Sequence, residues 1–139
     1  MSGEPSSVAS RDHYVGSRLV AIVDDDTSLL RAMGRLVRAA GFVVRIFASA
    51  EEFLESDRSM PLRCMVLDVC LAGMDGFQLH ERLRALGGTQ PPVIFITAHD
   101  DVANRERARR AGALHYLRKP FDDAALIDAI RRADCASPA

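Results

Sequence analysis

The chain has 139 residues, enough for one compact domain and little room for a second. About half of them are apolar, so a sizeable core can form. The 18 basic residues nearly cancel the 19 acidic ones, which argues against a nucleic-acid coat or a membrane-surface protein.

Met1 to Ser17 is polar, lacks the hydrophobic core of a signal peptide, and reads as a disordered lead-in. Residues 18–134 read as the folded domain and 135–139 as a short tail. The longest apolar runs, such as Val93 to Ile96, are far too short to span a bilayer. Cys64, Cys70 and Cys135 are odd in number and show no metal-ligand spacing, so reduced thiols in a cytoplasm are expected. Every basic residue is Arg except Lys119, which singles that position out.

Leu19 to Val23 is a short, β-branched run that stops at Asp24-Asp25-Asp26, as a buried strand entering a polar loop does. Thr27 is placed to cap a helix carrying Leu29, Leu30, Met33, Leu36, Val37 and Ala40, and Gly41 stops it. Phe42 to Phe47 reads as a second strand. Ser49 caps a short helix with Glu51 and Glu52 in its first turn, ending near Ser56. Cys64 to Leu67 is a third strand, closed by Asp68. After the turn Gly73 to Gly76, a helix carries Phe77, Leu79, Leu83 and Leu86 up to Gly87-Gly88. Pro91-Pro92 leads into a fourth strand, Val93 to Ile96, followed by Thr97. An Arg-rich helix runs from Asp101 to Ala111, Leu114 to Leu117 is the fifth strand, and a last helix starts at Asp122 beyond Pro120.

Five strands alternating with five helices call for a parallel sheet covered on both faces. Continuous apolar strands, rather than alternating ones, support that burial. The expected fold is therefore α/β, flavodoxin-like, with strand order 2-1-3-4-5, one of the two common doubly wound orders.

Ligands of such sheets bind beyond the carboxyl ends of the strands. The first strand ends there in Asp24, Asp25 and Asp26, the third in Asp68 and the fourth in Thr97, while the fifth leads to Lys119. Two carboxylates at ~4 Å repel by about 4 kcal/mol at an effective dielectric of ~20, so something must offset them. Lys119 can neutralise one charge. A hard divalent cation can neutralise more, and oxygen ligands suit Mg²⁺, which commonly works with phosphate. An Asp beside such a metal can attack phosphorus and become an aspartyl phosphate. Thr97 and Lys119 would then hold the phosphoryl oxygens.

Val23-Asp24-Asp25-Asp26, Leu67-Asp68 with Met74-Asp75-Gly76, Ile96-Thr97-Ala98 and Tyr116-Leu117-Arg118-Lys119-Pro120-Phe121 together resemble the four signatures of bacterial response-regulator receivers, in order and spacing. The resemblance covers roughly Arg18 to Ala133. His99-Asp100-Asp101 and Lys119-Pro120-Phe121-Asp122 are most similar to receivers that usually precede a helix-turn-helix output domain.

The resemblance implies Asp68 as phosphoacceptor for a sensor histidine kinase. It implies Mg²⁺ held by Asp25, Asp68 and the backbone carbonyl of Cys70, with Asp24 acting through a metal-bound water. Thr97 and Lys119 would contact the phosphoryl group, and Tyr116 would change rotamer with Thr97. Cys70 and His99 would flank the path of the hydrolytic water and set the phosphoryl lifetime. The Lys119-Pro120 peptide would be cis. The fourth helix, fifth strand and fifth helix would form the output face and a possible homodimer contact. One departure is Leu71-Ala72, where the family commonly has a hydrophobic residue and Pro; Ala72 removes a stiff turn residue.

Taken singly, these residues have blander readings. Asp26 reads as a helix cap, Thr97 as a cap and Lys119 as a surface residue. Tyr116 reads as packing, and His13, His80 and His115 as surface or half-buried residues. His99 could equally point to solvent. The Arg105, Arg107, Arg109 and Arg110 cluster reads as a solvated helix face or a docking surface. Surrounding carboxylates should blunt the Cys70 thiol as a nucleophile.

Other functions compete. A flavin- or nucleotide-binding protein of similar fold would need Gly and backbone N–H groups where the first turn has acids. A phosphate-hydrolysing enzyme with an Asp nucleophile would want an acid two residues on, where Cys70 stands. The expectation is thus a signalling switch, catalysing only its own phosphorylation and dephosphorylation. It would act in the cytoplasm without membrane or direct nucleic-acid contact, either as a stand-alone phosphorelay shuttle or as the input part of a transcriptional regulator.

Overall fold

A computed structural model of the chain describes residues 17–88 and 90–136. The lead-in read at 1–17, with His13, lies outside the described residues except for Ser17, as do residues 137–139 of the tail. Strands β1 (Leu19–Val23), β2 (Val43–Phe47), β3 (Cys64–Asp68), β4 (Val93–Thr97) and β5 (His115–Arg118) form one sheet in the order β2-β1-β3-β4-β5. Every pairing is parallel. Helices α1 (Thr27–Ala39), α2 (Ala50–Glu55), α3 (Gly76–Leu86), α4 (Val102–Arg110) and α5 (Asp123–Ala136) connect and follow the strands.

Side chains alternate across a strand, and the core divides accordingly. Val20, Ile22, Cys64, Val66, Ile94 and Ile96 pack under α1 and α5, against Leu30, Met33, Val37, Leu126 and Ile130. Ala21, Val23, Met65, Leu67, Val93 and Phe95 face the other layer, against Phe53 of α2, Phe77, Leu79 and Leu83 of α3, and Ala108 of α4. The central strands β1, β3 and β4 are buried throughout, which is why their sequences read as unbroken apolar runs.

The helices differ in how firmly they are held. Leu126 and Ile130 of α5 are fully buried, and each such side chain contributes about 1.5–3 kcal/mol. In α4 Ala108 is the one buried residue, and a buried methyl group contributes only about 0.8 kcal/mol. At the amino edge of the sheet the Arg63 guanidinium donates to the carbonyls of Ser17 (3.2 Å), Ile130 (3.0 Å) and Arg131 (3.2 Å). It also lies 5.0 Å from the centre of the Phe42 ring.

Some boundaries differ from the sequence reading. Asp26, not Thr27, caps α1, its side chain accepting from the Leu29 N–H at 3.1 Å. Phe42 precedes β2, β5 is shifted one residue on, and α5 starts at Asp123. That helix continues to Ala136, two residues into the stretch read as tail. His80, read as surface or half-buried, is buried at 4 % exposure. It stands edge-on to Phe95, with ring centroids 5.8 Å apart.

Candidate functional site

The carboxyl ends of β1, β3 and β4 open into one pocket. β1 and β3 are neighbours, with Val23 paired to Leu67, so the residues that follow, Asp24 and Asp68, end side by side. Asp24 is fully buried and Asp68 nearly so, at 0 % and 4 % exposure, whereas Asp25 is exposed. One oxygen from each of the three carboxylates lies within 4.8 Å of the others. Beyond Asp68 the chain turns back at once into α3. A Cβ at Gly76 would collide with the Asp68 carbonyl, so only glycine permits that approach. Asp75 then caps α3 in a reciprocal capping box with Gln78, both bonds being 2.8 Å.

Lys119 reaches in from the loop after β5. Its ammonium donates to Asp24 Oδ2 at 2.9 Å and to Asp68 Oδ2 at 3.2 Å. Its own backbone N–H bonds the Thr97 carbonyl at 2.7 Å, and the peptide to Pro120 is cis. Asp24 Oδ1 accepts from the Asp26 N–H (2.9 Å), Asp68 Oδ1 from the Cys70 N–H (3.1 Å), and Asp25 Oδ2 from the Ala72 N–H (3.1 Å). Burial pushes the Asp24 carboxyl up to about 6, against the lowering effect of its bond to Lys119. Burial works to lower the Lys119 pKa, but its bond to Asp24 and the charges of both aspartates outweigh that and raise it.

Three carboxylates against one ammonium leave the pocket with two negative charges. The donors are all oxygen and sit at the spacing of a shared ligand. Asp24, Asp25 and Asp68 therefore fit a hard divalent cation such as Mg²⁺.

Thr97, fully buried at the end of β4, accepts from the His99 N–H at 2.9 Å and lies 3.9 Å from Cys70 Sγ. Cys70 is exposed, as is the His99 ring, whose residue is tied in by its backbone. Tyr116 sits beside Phe95 in the sheet register. Its hydroxyl oxygen is buried and without a hydrogen-bond partner among the described residues. Burial, with the charge of Asp100 behind it, raises that phenol to about 12.

The family model for the response regulator receiver domain matches residues 20–131. This chain belongs to the response regulator receivers. Receivers are signalling domains, and the pocket just described is the acidic pocket of this one. The receiver is 39% identical over 115 residues to response regulator protein TmoT of Ectopseudomonas mendocina, covering 83% of this chain and 52% of that protein. It is 40% identical over 112 residues to nodulation protein W of Bradyrhizobium diazoefficiens, covering 81% and 49%. The chain thus spans about half the length of the curated relatives it matches. A receiver protein from Burkholderia phymatum has a similar solved structure, with 42% identity, a TM-score of 0.74, and 88% and 100% of the two chains covered. No described helix is long and apolar enough to cross a membrane.

The pocket brings together the residues singled out in the sequence: Asp24, Asp25, Asp68, Thr97 and Lys119, with Cys70 beside Thr97. Two participants were missed. The Asp75-x-x-Gln78 pattern is a capping box legible in the sequence, whereas the sequence reading takes Asp75 as part of a turn and of a family signature and leaves Gln78 out. The Ala72 amide had been considered only as the absence of a proline ring.

Proposed function

We propose that this receiver accepts a phosphoryl group on Asp68 from the phosphohistidine of a sensor histidine kinase, in a Mg²⁺-dependent reaction. The output follows through α4, β5 and α5. The observation that carries the reading is the convergence of Asp24, Asp25 and Asp68 with Lys119 at the ends of adjacent parallel strands.

The Asp68 carboxylate forms the new P–O bond as the P–N bond to the kinase imidazole breaks, and the imidazole nitrogen keeps the electron pair and takes up a proton. Mg²⁺, bound by Asp25, Asp68 and the Cys70 carbonyl, with Asp24 acting through a water, would offset negative charge on the phosphoryl oxygens. Lys119 already spans Asp24 and Asp68, so it can follow the charge from the carboxylate to the phosphoryl oxygen with little displacement. The Thr97 hydroxyl, freed from the His99 N–H, donates to a second oxygen.

Movement of Thr97 is relayed to α4 through the loop from Ala98 to Asp101 and past Tyr116. Tyr116 changes rotamer with Thr97 and turns in behind it. The remodelled α4-β5-α5 face meets a partner or a second copy of the chain. The reaction is self-modification in the cytoplasm. Longer relatives that carry the name transcriptional regulatory protein, of which the match covers 59% and 56%, favour the input part of such a regulator over a stand-alone shuttle.

The test is incubation with a small-molecule phosphodonor and Mg²⁺, read by intact-mass spectrometry. One phosphoryl adduct is expected on the wild type and none on Asp68→Asn, with both variants folded. An adduct persisting on Asp68→Asn would overturn the assignment.

A further inference from the structure

The three carboxylates of the pocket are partnered in two ways. Asp24 and Asp68 share the Lys119 ammonium. Asp25 has no cation; its partner among the described residues is the N–H of Ala72, donated to Oδ2 at 3.1 Å across the gap between two loops. The geometry of the β3–α3 loop sets that donor. Val69 and Leu71 are buried at 4 % and 6 % exposure, while Cys70 and Ala72 face outward. The loop thus alternates as a strand does, anchored by its apolar members. The anchors present the Cys70 N–H to Asp68 and the Ala72 N–H to Asp25.

Asp25 is the exposed member of a cluster that repels it, and among the described residues this bond is the hydrogen bond that holds its carboxylate turned toward Asp24 and Asp68. A backbone N–H holds it without neutralising it. Its other oxygen and the second lone pair of Oδ2 remain available to a cation. A proline at position 72 has no N–H to give.

We propose that the Ala72 amide is a positioning group of the cation site. It pre-sets Asp25 for Mg²⁺ and joins the β1–α1 and β3–α3 loops across the pocket mouth, a function that a proline-containing receiver must meet by other means. This rests on the reading of the pocket as a Mg²⁺ site. The amide stays on Asp25 when the ion binds, so the contact adds to ion affinity and does not compete with it.

The test uses the full ¹⁵N-labelled chain titrated with magnesium chloride alone, followed by amide chemical shifts. Ala72→Pro removes the N–H. Ala72→Gly keeps it while loosening the loop. Ala72 has no positive φ to bar proline, and circular dichroism checks the fold. Ala72→Pro is expected to weaken Mg²⁺ binding by roughly three- to tenfold, the effect of one net hydrogen bond, with Ala72→Gly close to wild type. In the wild type, exchange of the Ala72 amide proton should slow as Mg²⁺ saturates, a readout that stands even where the proline variant fails to fold. Equal affinity in wild type and Ala72→Pro, equal weakening by Gly and Pro, or faster Ala72 exchange on Mg²⁺ addition overturns the amide's role alone. A wild type that shows no Mg²⁺ saturation overturns the pocket reading, and this inference with it.

Discussion

The guanidinium of Arg107 lies over the Phe77 ring, 4.3 Å from its centre, and stands 3.8 Å from the Asp75 carboxylate that caps α3. This α4 side chain therefore rests on the first turn of the helix that begins eight residues past Asp68. With Ala108 as the one buried residue of α4, that contact is a large share of what fixes the helix. An exposed cation–π contact contributes about 0.5–1 kcal/mol. Arg107→Ala is expected to accelerate amide hydrogen exchange across 102–110 several-fold while leaving α5 unchanged, a pattern that hydrogen-exchange mass spectrometry resolves. Equal acceleration in both helices would contradict it.

Among the described residues Lys119 is the sole cation on two buried carboxylates. Its replacement by methionine leaves Asp24 and Asp68 facing each other without it, which costs on the order of 2 kcal/mol after allowance for partial solvent access. Lys119→Met is expected to lower the melting temperature by several degrees without divalent ions. Millimolar Mg²⁺ should restore more of the loss than it adds to wild type. Thermal melts with and without Mg²⁺ check both parts.

His80 gives the stability a pH dependence of known sign. Burial, then the charge of Arg84, lower its pKa below the ordinary 6.5, with Glu81 opposing. The unfolded chain therefore binds the proton more readily than the folded one. The contribution is fully present above pH 6.5 and is lost as pH falls from there through the folded-state value. His80→Leu is expected to flatten the stability profile in that window, measured by urea unfolding at successive pH values.

Cys70 and His99 are the two positions we propose to set how long a phosphoryl group on Asp68 lasts. The Cys70 thiol lies 3.9 Å from the Thr97 hydroxyl, whereas His99 reaches Thr97 through its backbone and keeps its ring outside. Cys70→Asn, which supplies an amide able to orient water, is expected to shorten the lifetime of phosphorylated protein about tenfold. An imidazole donates or accepts according to pH, so His99→Ala is expected to flatten any pH dependence of the decay. Single-turnover dephosphorylation of the three proteins decides between the two positions.

The strands were legible because β1, β3 and β4 are buried on both faces, and such strands need no pattern beyond apolarity. The acids and the lysine were legible because chemistry in a parallel sheet collects at strand ends. Within Asp24-Asp25-Asp26 the cap at Asp26 was legible, but which acid is buried and which exposed was not. One is buried on Lys119, one is exposed on Ala72 and one caps α1, a difference made by the pleat and the loop path rather than by residue type. The burial of His80 could have been read: it falls four residues after Gly76 and three before Leu83, on the inward stripe of α3. The Ala72 contact could not, since a backbone donor has no letter in the sequence.

The grip of Arg63 on α5 gives the molecule a mechanical asymmetry. Its three carbonyl bonds fasten the helix to the foot of β3 and to Ser17, far from the acidic pocket. α5 behaves as a stator, pinned near its middle at Ile130 and Arg131 and packed along its length, whereas α4 is held by far less. A partner that meets α5 meets the firmly held part of the proposed output face, and one that meets α4 meets a helix anchored by one buried methyl group.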